Sequence, residues 1–170
     1  MFRKAAQNDL ETIAEIYDKI IETNPSVGWK KGIYPTIDTA REALGCDELF
    51  VYCDDEGVAA AARINKTQVE AYKKANWEYD APDDEVMVMH TLVVDPDRRG
   101  GGIGKKFLAF YEEYALKNGC KYLRIDTNEK NEFARAMYAR HGYHEVGIVP
   151  CCFFGLEGVN LVCLEKHLGD

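Results

Sequence analysis

The chain has 170 residues, 46% hydrophobic and 29% charged, the balance of an ordinary globular protein with room for one sizeable core. Its 29 acidic residues against 21 basic ones leave a net charge of −8, which argues against nucleic acid as the main partner, because duplex binding needs a basic face. No apolar run reaches the ~20 residues of a membrane span, and the opening "MFRKAAQNDLETIAEIY" meets acidic residues before any apolar core, so a cytoplasmic protein with no membrane partner is expected.

The predicted elements alternate. "FRKA" is a short strand, and Leu10, Ile13, Ile16, Tyr17 and Ile20 recur at helical period behind Asp9. "PTIDTAREAL" is a second helix with Thr36 or Asp38 as its cap. "ELFVYCD" and "GVAAAARIN" read as a hairpin across Asp54 to Gly57. Residues 67–84 are polar and irregular, with one helical turn near "QVEAYKKA". "EVMVMHTLVV", residues 85–94, is a near-continuous apolar strand, which implies cover on both faces, and Asp95-Pro96 ends it. A helix follows, with Ile103, Phe107, Phe110/Tyr111 and Tyr114/Ala115 as its apolar stripe and Gly119 as its stop. "KYLRID" is a strand, "NEFARAMYARHG" a helix, and "YHEVGIV" and "NLVCLEK" are closing strands. A single domain over residues 1–170 with a mixed sheet and helices on its faces is expected.

Six cysteines, Cys46, Cys53, Cys120, Cys151, Cys152 and Cys163, form no C-x-x-C pair and have no histidine at metal spacing, so free thiols and no metal are expected. The vicinal Cys151-Cys152 pair reads as small apolar filler near a strand end.

The segment "DPDRRGGGIGKKF" puts Gly100, Gly101, Gly102 and Gly104 between a buried strand and a helix. A Walker loop fails, because Arg99 stands at its first glycine position and Lys106 where Ser or Thr is needed. A dinucleotide fingerprint fails at Lys105 and at Phe107. An anion site still fits: first-turn N–H groups have no internal partner, glycines let a ligand approach the backbone, and Arg99 and Lys105 add charge.

The spacing that does fit is [QR]-x-x-G-x-[GA], met by Arg99, Gly102 and Gly104 after "VVDPDR". It resembles the acyl-CoA-binding motif of the GNAT superfamily of N-acetyltransferases. "DTNEKNEFARAMYARHGYHEVG" resembles the second family motif through Asn131, Ala134, Met137, Tyr138, Gly142, Tyr143 and Gly147, and the first strand and helix are similar as well. The resemblance implies an α/β (α+β) fold: a mixed, mostly antiparallel central sheet flanked by helices, with acyl-CoA at a splay between two central strands.

It further implies acetyl-CoA as co-substrate, gripped by the backbone of Arg99, Gly100, Gly101, Gly102, Ile103 and Gly104, with Lys105 assisting and the strand edge Leu92, Val93 and Val94 pairing with the pantetheine arm. Asn131 would contact the same arm or cap its helix. Transfer to an amine needs a base or a water chain, since an alkyl ammonium has a pKa near ~10. It also needs a donor for the oxyanion, such as a strand amide near Leu92. Tyr138 matches the family tyrosine that protonates the leaving thiolate. His90 stands where many members carry a glutamate base, with Glu85 the weaker candidate. Trp29, Tyr34 and Phe153 are expected around the acceptor, a small-molecule or peptide amine. Family habit adds a homodimer, and a non-catalytic acyl-CoA-binding domain is the alternative function.

Overall fold

The computed structural model describes residues 1–169, without the side chain of Phe153. Its strands are β1 (Phe2–Lys4), β2 (Leu49–Asp54), β3 (Gly57–Asn65), β4 (Val86–Val94), β5 (Tyr122–Asn128), β6 (His144–Phe153) and β7 (Leu156–His167). Its helices are α1 (Leu10–Thr23), α2 (Ile37–Gly45), α3 (Ile103–Lys117) and α4 (Glu132–Arg140). The strand order is β1-β2-β3-β4-β5-β7-β6. β4 and β5 pair in parallel, while β1–β2, β2–β3, β5–β7 and β6–β7 are antiparallel. This is the expected mixed, mostly antiparallel sheet with helices. Among the described residues no helix is long and apolar enough to cross a membrane.

Contacts divide the chain into two compact units. The first comprises Met1–Pro25, Trp29–Ile64 and Met89–Phe110; the second comprises Ser26–Gly28, Asn65–Val88 and Tyr111–Asp170.

In the first unit, α1 buries Leu10, Ile13, Ile16, Tyr17 and Ile20, the stripe its 3.6 period dictates. Its start is fixed by Asp9, whose carboxylate accepts from the Ala6 amide at 2.7 Å and from both Arg3 Nη atoms at 2.7 and 3.0 Å. Thr36 is the N-cap of α2, and its amide donates to Thr39 Oγ1 at 3.0 Å. Asp54 and Gly57 close the β2–β3 hairpin, Gly57 with a left-handed φ of 109°. Ala59 to Ala62 of β3 are buried, as expected for a strand covered on both faces. Phe2 stacks on Phe110 at 4.5 Å and meets Phe107 edge-on at 5.3 Å.

In the second unit, Tyr72, Val86, Val88, Val149, Val159, Leu161 and Cys163 form one buried cluster. Here the sequence reading falls short. Residues 67–84 contain the expected turn, a 3-10 turn at Glu70–Lys74, but its Tyr72 is 1% exposed and anchors the cluster. The closing strands also run further than their apolar cores suggest, meeting at Phe153 and Leu156, with register shifts at Glu145/Gly147 and Cys151/Phe153. β4 starts at Val86, so Glu85 is not on the strand; it stands exposed in a 3-10 turn.

Candidate active site

The glycine segment lies in the first unit and is anchored by its acidic start. The Asp95 amide donates to Ala59 O at 2.8 Å, and its carboxylate accepts from the Asp97 amide at 3.0 Å. Lys19 of α1 reaches Asp95 at 3.2 Å and Asp97 at 2.8 Å. Arg98 is engaged by Asp54 and Glu56, whereas Arg99 and Lys105, like the neighbouring Lys106, are exposed. Gly100 and Gly102 have φ of 94° and 66°, and a Cβ added at either would meet no atom within 4 Å. Among the described residues, the amides from Arg99 to Lys105 donate no backbone hydrogen bond; the first to do so is Lys106, to Gly102 O at 3.0 Å. The result is a row of bare N–H groups at the positive end of a 15-residue helix, with open space in front of it.

The β4 strand leading there departs from a regular extended backbone. Thr91 has a φ of 51°, a left-handed conformation rare for a β-branched residue. Its Oγ1 is hydrogen-bonded to the Tyr34 hydroxyl. Trp29 packs edge-on against Tyr34, ring centroids 6.1 Å apart. His90 and Leu92 are half-buried on either side of Thr91, Val93 is buried and Val94 half-buried. Among the described residues, the β4–β5 ladder pairs Val86–Val88 with Tyr122–Arg124, whereas β5 continues to Asn128.

The second unit holds the other group of candidates. Tyr138 of α4 is 6% exposed, and among the described residues its hydroxyl has no hydrogen-bond partner. Burial pushes its phenol pKa up, and the nearby Asp126 carboxylate adds to the shift. Asp126, on β5, was missed by the sequence reading, which saw only a strand end. The Tyr72 hydroxyl donates to its Oδ2 at 2.6 Å. Burial raises the Asp126 pKa against the lowering effect of that bond. No local spacing links residues 72 and 126; only the fold does. Asn131 is the N-cap of α4, its Oδ1 accepting from the Ala134 amide at 3.3 Å. Cys151 is half-buried against the Tyr72 cluster, as filler should be, but Cys152 is exposed. The Phe153 side chain lies outside the described residues.

Comparison with known proteins gives the class. The acetyltransferase (GNAT) family model matches residues 13–143, running through segments of both units, and the chain belongs to that family. It is 27% identical over 147 residues to an uncharacterized N-acetyltransferase of Methanocaldococcus jannaschii, covering 86% of this chain and 62% of that one. The chain thus spans less than two thirds of that relative. Among solved structures, a GNAT-family acetyltransferase of Streptococcus agalactiae has the same fold, with a TM-score of 0.85 at 20% identity over 100% of this chain and 96% of that one. A Salmonella typhimurium protein solved with its cofactor acetyl-CoA has a TM-score of 0.71 at 16% identity, over 100% of this chain and 94% of that one.

Proposed function

We propose that the chain is an acetyl-CoA-dependent N-acetyltransferase that acetylates a primary amine of a small molecule or peptide by direct attack. The observation that carries this reading is the open row of amides at Arg99–Lys105 in a chain of the GNAT family. The residues fit the co-substrate: Gly100 and Gly102 leave the space a pyrophosphate needs, and Arg99 and Lys105 supply positive charge. Bound there, acetyl-CoA would supply a thioester as acyl donor.

The chain's own groups then have separate tasks. The amides of Arg99, Gly100, Gly101, Gly102, Ile103 and Gly104 hold the phosphates. The backbone of Leu92 to Val94 holds the pantetheine arm, and an amide near Leu92 stabilises the oxyanion. Tyr138 gives its proton to the leaving thiolate; a hydroxyl without a protein partner supports that role. Two groups are candidates for taking the proton of the amine. His90 is a half-buried imidazole of a type suited to neutral pH. Asp126 is a carboxyl made more basic by burial and held in one orientation by Tyr72. Trp29 and Tyr34 line the acceptor side.

Thiol release from acetyl-CoA across a panel of small amines and peptide N-termini tests the reading. Turnover with at least one amine is expected. CoA binding without any turnover would leave a non-catalytic acyl-CoA-binding domain, and no rise in melting temperature at millimolar CoA would sink both. The two bases separate in pH–rate profiles: the acidic limb moves or flattens only in the variant, His90→Ala or Asp126→Asn, that removes the working base.

A further inference from the structure

Three strands of the second unit carry a row of charged side chains in direct register. Arg124 on β5 faces Glu165 on β7, and Glu165 faces His144 on β6. Directly paired residues of antiparallel strands share a face, so the three side chains lie side by side. Each carries a buried atom with no hydrogen-bond partner among the described residues: Arg124 Nε, Glu165 Oε2 and His144 Nε2. Orphaned buried polar atoms are uncommon in native proteins and point to an ion or water.

The Arg124–Glu165 pair does not resolve itself. Arg124 turns its Nη atoms to Gln68 Oε1 at 2.6 Å and Tyr79 O at 2.9 Å, and lies under the Trp77 ring at 4.2 Å. Glu165, 1% exposed, accepts the Glu78 amide on Oε1 only. The Glu78 carboxylate comes down on the same spot. Its Oε2 is 2.7 Å from His144 Nε2, which is 3.7 Å from Glu165 Oε1. The 2.7 Å contact is short enough for a hydrogen bond, yet the imidazole nitrogen forms none. One donor atom from each of Glu78, His144 and Glu165 fits within 4.8 Å.

We infer that Glu78, His144 and Glu165 form a binding site for a divalent transition-metal cation of the zinc type. Nitrogen and oxygen ligands about 2.0–2.2 Å from tetrahedral zinc stand roughly 3.3 Å apart, and the observed 2.7 and 3.7 Å bracket that spacing. An imidazole in the set favours zinc-like ions over magnesium or calcium. Two carboxylates face one guanidinium, so the site attracts a cation. It would give His144 Nε2 a partner and bring a positive charge to the buried Glu165 carboxylate. Three protein ligands leave one position for water. Glu78 belongs to the segment joining β3 to β4, and its partners belong to the β6–β7 hairpin, so the ion would clip that segment to the hairpin. The inference stands apart from the acetyltransferase reading and departs from the sequence expectation of no metal.

The test is calorimetric titration of the chelator-stripped protein with Zn²⁺. One equivalent should bind and raise the melting temperature. Glu78→Gln, at an exposed side chain that the fold can spare, and His144→Ala should each weaken binding at least 10-fold, the range for a lost ligand or its support. The Cys46→Ser/Cys152→Ser control should bind like the parent, and Co²⁺ should give visible d–d bands without thiolate charge transfer. The site is wrong if the parent shows no saturable binding, if either ligand variant binds undiminished, or if the serine control abolishes binding.

Discussion

The Tyr34 hydroxyl is hydrogen-bonded to Oγ1 of Thr91, a β4 residue held in a left-handed backbone conformation. The loop between α1 and α2 therefore helps to hold the bend in the strand that leads to the glycine turn. Tyr34→Phe should remove one hydrogen bond and cost about 1 kcal/mol, or a drop in Tm of about 2–4 °C for a chain of this size. Chemical and thermal denaturation would measure it. An unchanged midpoint would mean that the bend holds without Tyr34.

Gly102→Ala tests the amide row. The added methyl has room, but its φ of 66° is costly for alanine, about 1–2 kcal/mol. The methyl would also take up part of the open space beside the turn. A Kd for CoA raised about 10-fold in a folded variant is expected. Unaltered affinity would remove the turn from the binding site.

Tyr138→Phe should leave the fold intact, because the hydroxyl has no protein partner among the described residues to lose. Turnover should fall about 100-fold while CoA affinity stays within twofold, the pattern of a lost general acid. Equal turnover would assign Tyr138 to packing against Tyr143, whose ring lies 5.9 Å away.

Asp126→Asn separates function from stability. The raised folded pKa means that Asp126 costs the fold least when protonated. Its contribution worsens as pH rises through that pKa. The asparagine variant should therefore gain melting temperature relative to the parent more above that pKa than in acid, where the carboxyl is protonated in both folded and unfolded chain. If Asp126 is the base, the same variant loses activity about 100-fold or more, so a stabilised, inactive protein is the expected outcome. A variant that is less stable above that pKa would show that the Tyr72 bond outweighs desolvation.

Most elements were legible because their signals are local. The α1 stripe, the Asp54–Gly57 hairpin and the strand–glycine–helix passage each announce themselves within a dozen residues. What remained hidden depends on partners far apart in sequence. Val69, Tyr72 and Trp77 follow no period, so their segment reads as loop, although Tyr72 is a core residue. Asp126 looks like an ordinary strand end until Tyr72 meets it. The row Arg124, Glu165 and His144 exists only through the registers of β5, β7 and β6, which no spacing in the chain encodes.

The order of the strands also bears on how the protein behaves in a crowded solution. β1 and β6 are the outermost strands of the sheet. β1 has three residues, too few to template another chain. β6 is long, but Pro150 offers no amide for a new ladder, and its pairing with β7 slips on either side of that proline. Both margins therefore lack the long, regular edge from which amyloid-like stacking grows, and the protein should stay dispersed at concentrations where a flat-edged sheet of this size would aggregate.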